Sequence, residues 1–519
     1  ESSGYPVSPA ATCSLTGKSD PARTQSVKVN GVAATYVPWK VTSTTAASNS
    51  YTVAIGEWSL PDVALQPGIN RVLIQAFDAA GTEIERTHHE IWYDDRSVAT
   101  VSGVIESDTT WTTAGGPYHI TAAVTVNNSA TLTIEPGTTV YLASGIGITV
   151  AAGGRILAKG TEAKPIYFTR APGATTNGGT ITINGAAGVP ETRFSHVYFN
   201  FGGNPAVACA ANSNVVLDYC EWLRTDVPYL HLDGGSFIVS NCIFPTANAT
   251  SYFEGVHGNG ATPPGGRAII RDSFFGKFHS IRGNYNDALD FTGNNRPGAI
   301  LQLYNNVFIG SDDDLIDLDG TDAWVEGNLF MHVHRVGSPD SASAISGGSD
   351  NGQTSEITVV GNLFFDVDHA MTAKEGNFFT FLRNTVVDQN SRGSEDRLED
   401  IAGQPDVFRP AVFNFADAGT PAARGMYIEG NVIHSAEKLV RNYTGRELVT
   451  FNHNLFPEGM TWAGAGSGNS SADALLNDVT VDPATGVSTI PTPTKDNYRE
   501  IARQIRGQFG LAARSPARG

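Results

Sequence analysis

Residues 303–330 read LYNNVFIGSDDDLIDLDGTDAWVEGNLF, and one phrase opens and closes the stretch: Leu303, Asn306 and Phe308 at its start, Val325, Asn328 and Phe330 at its end. The phrase is an apolar residue, two others, a small polar residue, one other, and a second apolar residue. It recurs at Leu217/Cys220/Trp222, Val239/Cys242/Phe244, Ile270/Ser273/Phe275, Val359/Asn362/Phe364, Phe381/Asn384/Val386, Ile428/Asn431/Ile433 and Phe451/Asn454/Phe456. Successive small polar positions lie 22, 31, 33, 22, 34, 22, 47 and 23 residues apart, so the basic period is 22 with loops added to particular turns. A period of this length without helices marks a solenoid whose coils each contribute short strands to parallel sheets.

The small polar column then has a physical role. Stacked at the strand spacing of about 4.8 Å, its amides hydrogen-bond from coil to coil at a bend. Cys220 and Cys242 stand in the same column, where the spacing admits either a disulfide or two buried thiols. With Cys13 and Cys209 they show no metal-binding spacing.

The coil repeat, the Asn column and the opening LTIEPGTTVYL (132–142) resemble the secreted right-handed parallel β-helix proteins of the pectate-lyase-like superfamily, over about residues 102–480. The resemblance implies an all-β fold and a secreted, extracellular protein; lyases, hydrolases, adhesins and tail proteins share the fold, so it does not fix the activity. More locally, DDLIDL (Asp313, Asp314, Asp317) resembles the DDGLDL calcium motif of polysaccharide lyase family nine. That likeness implies Ca²⁺ at Asp313 and Asp314, with Asp287 placed at the same bend by the stacking of coils as a further ligand, and a basic residue nearby to remove a proton.

Residues 310–320 put five carboxylates into eleven positions while Ile316 and Leu318 alternate with Asp317 and Asp319, the rhythm of a strand with one acidic face. Matching ALDFTGN, LIDLDGT and HAMTAKEGN gives one outward column, His231, His257, Asp290, Asp317, Ala344, Thr372, Arg441, and a second, Asp233, Asn259, Thr292, Asp319, Ser346, Lys374, Tyr443. Asp290 then lies about 5 Å from Asp317 and about 7 to 8 Å from Asp319. Carboxylates this close need a cation or a raised pKa. A hard cation such as Ca²⁺ accepts oxygen ligands from two strands, and paired carboxylates are what glycosidic cleavage uses. Lys374 is expected two coils from Asp319, about 10 Å away.

Long insertions fall in the coils carrying His257, Asp290 and Ser346 and after Val386, so loops wall a cleft with the acidic strand on its floor. His257, Tyr285, Trp324, Arg335 and His369 are expected to bind substrate there, with Tyr252 a further aromatic candidate. His332 and His334 have a spacing that suits a metal but lack a third ligand in sequence.

The remaining signals bound the rest of the chain. A charge of -18 and pI near 5.0 over 519 residues exclude a generally basic face for nucleic acid or anionic membrane. No apolar run is long enough to span a bilayer. A chain beginning at Glu1 suggests a mature or trimmed product. Residues 1–20 read as a linker, residues 21–97 as a small Ig-like β-sandwich of alternating strands, and residues 98–519 as the right-handed parallel β-helix with a C-terminal cap, cut from a longer chain. Helical periodicity appears only near 497–510. The expected activity is extracellular polysaccharide degradation by a glycoside hydrolase using Asp290, Asp317 and Asp319, in a monomer or part of a multidomain chain. The alternatives are a Ca²⁺-dependent lyase with Lys374 as base, and a non-catalytic carbohydrate-binding or adhesion module.

Overall fold

A computed structural model describes residues 4–46, 49–223, 228–249, 254–280, 286–311, 313–334, 342–387, 411–417, 419–434, 436, 438–477 and 490–518, with the side chains of 40–54, 247–249, 279 and 280 set aside. Tyr252, Tyr285 and Arg335 lie outside the described residues. From Ala99 onward, coil after coil contributes a strand to each of three parallel ladders. One is a sheet of 13 strands running from Thr109–Trp111 to Leu448–Asn452. A second passes through Thr139–Leu142, Val307–Phe308 and Leu329–Val333, and the third through Val256–Asn259, Leu289–Thr292 and Ile316–Asp319. This is a parallel β-helix.

The repeat phrase occupies the bend between the first and second ladders. Asn306 Nδ2 donates to Asn328 Oδ1 at 3.0 Å, and the same bond links Asn328 to Asn362, Asn362 to Asn384, Asn384 to Asn431 and Asn431 to Asn454 at 2.9 to 3.2 Å. Each Oδ1 also accepts the backbone N–H of the preceding asparagine, as at Asn306 N to Asn328 Oδ1, 2.8 Å. Asn469 adds a rung that the phrase does not mark. A second bend carries a mixed column, Thr262, Asn294, Thr321, Ser355 and Asn377, in which each side-chain oxygen accepts the backbone N–H of the rung before.

The apolar position that closes each repeat phrase points inward. Trp222, Phe244, Phe275, Phe308, Phe330 and Phe364 stack with ring centroids 4.5 to 5.2 Å apart. Offset stacks of this kind add about 0.5 to 1.5 kcal/mol per pair beyond burial. Cys209, Cys220 and Cys242 are buried free thiols and Cys13 is a partly buried one.

Residues 7–19, expected as linker, instead form strands Val7–Ser8 and Thr12–Ser19. The polar composition misleads here because Thr12–Ser19 is half-exposed along its length and needs few apolar residues. It pairs with Asn49–Ala64, and two sheets enclose a core of Val27, Val29, Trp58, Val72 and Ile91. This unit docks on the outer face of the second ladder: Ile69 N–H donates to Thr139 Oγ1 (2.9 Å) and Trp92 Nε1 to Tyr141 Oη (2.9 Å). The helix Tyr498–Gln508 covers the same face farther along, packing Tyr498, Ala502 and Ile505 on Leu329, Met331 and Leu363. It flanks the solenoid where a cap over its end was expected.

Replacing Asn328 by Ala should lower unfolding stability by about 2 to 4 kcal/mol, because it strips partners from the buried Asn306 N–H and the Leu303 carbonyl. Chemical denaturation checks this; a loss under about 1 kcal/mol would show the ladder to be dispensable.

Candidate active site

The third ladder sets the register that matters. Leu289, Phe291, Ile316 and Leu318 turn into the core, so Asp290, Thr292, Asp317 and Asp319 turn outward. Backbone pairing places His231 beside His257, His257 beside Asp290, Asp290 beside Asp317 and Thr292 beside Asp319. The column continues from Asp317 through Ser346, Thr372 and Asn414 to Arg441. Two expectations are corrected here. Ser346 takes the place given to Ala344, because the insertion in that coil absorbs two more residues than matching allowed. Asn414 enters before Arg441, since a 47-residue repeat conceals one rung.

The shift changes the chemistry beside Asp319, where the second column now holds Gly348 in place of Ser346. A Cβ on Gly348 would meet Asp319 Oδ1 at 2.6 Å and Lys374 Cε at 2.9 Å. Lys374 lies across this notch, with Nζ 3.8 Å from Asp317 Oδ1 and 3.9 Å from Asp319 Oδ1. The expected separation of about 10 Å counted coils and ignored the reach of a lysine side chain over a glycine.

Burial, then Asp317 and Glu254, pushes the Asp290 carboxyl up to about 9. Burial and Asp317 raise Asp319 to about 6 against the opposing charge of Lys374. Asp317 above all, helped by Asp319, keeps Lys374 protonated well above the usual lysine range. Asp317 Oδ1, Asp319 Oδ1 and Ser346 Oγ are buried without a hydrogen-bond partner among the described residues.

Glu254 was not anticipated. Its Oε2 lies 2.6 Å from His257 Nδ1, and Glu254, His257 and Asp290 converge closely enough to share a cation. A sequence signal for it exists: Glu254, Asp287 and Asp314 each stand three residues before the column residue of their coil, His257, Asp290 and Asp317. Asp287 and Asp314 use that place to join coils. Asp287 Oδ1 accepts the Asp314 N–H (3.0 Å), and Asp314 Oδ1 accepts the Ser343 N–H (2.8 Å). Both are held well above the ordinary carboxylate range, chiefly by burial and next by Asp313. Proposed as metal ligands with Asp313, they serve first as bend rungs; Asp313 is half-buried at the same corner.

Two of the expected substrate-binding residues lie elsewhere. His369 is 1% exposed and its Nδ1 contacts the Ala411 carbonyl at 2.6 Å, so it ties coils together in the interior. Trp324 belongs to the 13-stranded sheet around the bend, where Nε1 donates to Glu326 Oε2 at 2.8 Å. Alternation alone does not say which of three faces an outward residue joins. His257 is where it was expected, next to Asp290.

Residues 103–214 match the family model of the pectate-lyase-like beta helix domain. No curated protein matches the chain. Among solved structures, the catalytic domain of a GH87 alpha-1,3-glucanase in complex with nigerose is 10% identical, covering 90% of each chain, with a TM-score of 0.33. The catalytic unit of a GH87 alpha-1,3-glucanase from Streptomyces thermodiastaticus strain HF3-3 is 10% identical over 89% of this chain and 87% of its own, TM-score 0.34. A family 28 exopolygalacturonase of Yersinia enterocolitica is 11% identical over 90% and 96%, TM-score 0.26. At such identities and scores the likeness carries no inference about chemistry. No described helix is long and apolar enough to cross a membrane.

Lys374→Met removes the cation between two acids. At neutral pH it should destabilise the fold by about 2 kcal/mol, less than for a fully buried pair because Asp319 is a third exposed. The stabilisation from Asp319 needs its ionised carboxylate, so the difference from wild type should shrink as pH falls through about 6 and Asp319 takes up a proton. Urea midpoints at neutral and acidic pH test this; a deficit that is unchanged in acid would refute the electrostatic assignment.

Proposed function

We propose that this chain is a secreted carbohydrate-active enzyme that hydrolyses glycosidic bonds in a polysaccharide laid along the third ladder. The observation that carries the proposal is the pairing of Asp290 with Asp317 and of Thr292 with Asp319 on an outward acidic face. Asp290, held protonated at neutral pH, is the general acid for the leaving oxygen. Asp319 is the base or nucleophile, and Lys374 offsets the charge of Asp317 beside it. The diagonal from Asp290 to Asp319, about 7 to 8 Å along the backbone, leaves room for an attacking water, as inversion requires.

One observation favours a second reading. Lys374 within 4 Å of the acidic pair is where a proton-abstracting base would stand in β-elimination on a uronic-acid polymer. The Asp317 and Asp319 oxygens that accept no hydrogen bond fit a hard cation such as Ca²⁺, which would neutralise a substrate carboxylate. In that setting Lys374 loses its acidic partners to the ion and its proton is released more easily.

Incubation with neutral and uronic polysaccharides separates the readings. Hydrolysis produces reducing ends alone; elimination adds ultraviolet absorbance from an unsaturated uronate and stops on chelation with EDTA; a binding module gives neither. For the hydrolase, kcat/KM should peak between about pH 6 and pH 9, falling on the acid side as Asp319 takes up a proton and on the alkaline side as Asp290 loses one. Asp290→Asn should lower kcat by about 100-fold or more without moving the thermal midpoint appreciably. Full activity in Asp290→Asn would remove the proposal.

A further inference from the structure

His332 and His334 stand two apart at the corner where the second ladder turns toward the third, and the next coil supplies what the sequence alone did not. Met331 pairs with Phe365 and Val333 with Val367, so His332 and Asp366 occupy matching positions in adjacent coils. Both adopt left-handed backbone, with φ of 55° and 56°. Neither residue is a glycine, and a strained conformation repeated in register needs a compensating interaction.

That interaction converges on one point. His332 Nδ1 lies 2.8 Å and His334 Nε2 3.0 Å from the same oxygen, Asp366 Oδ2. The other ring nitrogen of His334, Nδ1, lies 3.0 Å from Asp368 Oδ1. We propose that His332 Nδ1, His334 Nε2 and Asp366 Oδ2 form a binding site for one Zn²⁺-class divalent ion, with Asp368 orienting His334 from behind. Bonds of about 2.0 to 2.1 Å place tetrahedral ligand atoms about 3.3 Å apart, so each histidine–carboxylate contact opens by a few tenths of an ångström to admit the ion, with all three ligand atoms already within 4.8 Å of one another. Two imidazoles with one carboxylate select zinc or its neighbours over Ca²⁺ and Mg²⁺. A carboxylate on the far nitrogen of a ligating histidine is the usual means of fixing its tautomer and ring orientation.

The exposure of the three ligands fits an open fourth position. The His334 and Asp366 side chains are 5% and 2% exposed, whereas that of His332 is 12% exposed, so solvent reaches the ion from the His332 side. The site is separate from the Glu254, His257 and Asp290 group, which shares no residue with it.

The test uses the full untagged chain, stripped of metal and titrated with ZnCl₂ by calorimetry and with CoCl₂ by visible absorption. One ion should bind per chain, with the intense cobalt bands of four-coordination. His332→Ala and Asp366→Asn should abolish this binding, Asp368→Asn should weaken it about 10- to 100-fold, and His257→Ala should leave it intact. Absence of saturable binding, or binding lost with His257→Ala and kept with His332→Ala, overturns the assignment and leaves the four residues as an ion-pair network. If the substituted chains do not fold, zinc-edge X-ray absorption of the wild-type protein decides. Two imidazoles and oxygen in the first shell support the site, and any shell lacking two imidazoles overturns it.

Discussion

Everything in this molecule depends on coils stacking in a single register, and the buried amide column is what enforces it. Each asparagine between Asn306 and Asn454 offers an oxygen that takes two N–H groups of the coil before it and an NH₂ that reaches the coil after it. A slip of one residue would leave those groups unpaired in the interior and turn the core-facing Phe column outward. The cost of misalignment is therefore local and steep at every turn.

Register in turn makes the acidic face unavoidable. Once Ile316 and Leu318 are committed to the core, Asp317 and Asp319 must face out, and the same holds for Asp290 one coil earlier. The scaffold tolerates this crowd through three devices. Asp287 and Asp314 spend oxygens on backbone N–H groups, Lys374 reaches across the gap at Gly348, and Asp290 retains a proton. The first device holds coils together; the other two keep Asp290, Asp317 and Asp319 together on the outward face of the third ladder.

Much of this was legible in the residues. The repeat phrase located the bends and the stacking aromatics, and the pairing of Asp290 with Asp317 followed from the match of ALDF to LIDL. What escaped has identifiable physical causes. Loop insertions hide how many residues a bend absorbs, so Ser346 was displaced by two positions and Asn414 was passed over. Side-chain length is invisible to a count of coils, which put Lys374 too far away. A solenoid with three faces also sends outward residues in three directions, so Trp324 was assigned to the wrong one and His369 proved to be interior. The third ligand to His332 and His334 came from a coil 34 residues later, a distance over which only the stacked structure speaks.

The two ends of the chain grip the same flank. Ile69 and Trp92 bind the outer wall near its start, Tyr498 and Ile505 bind it farther along, and Lys495 reaches back to Glu221 at 2.6 Å. A bare stack of repeats interacts only with its neighbours and comes apart by fraying from either tip. Here the terminal segments act as clasps that must let go before peeling can spread inward. Because the clasp made by Lys495 and Tyr498 joins residues 274 and 226 positions apart, it forms late in folding and its stabilisation falls chiefly on the unfolding rate, making the protein slow to assemble and slower still to come undone.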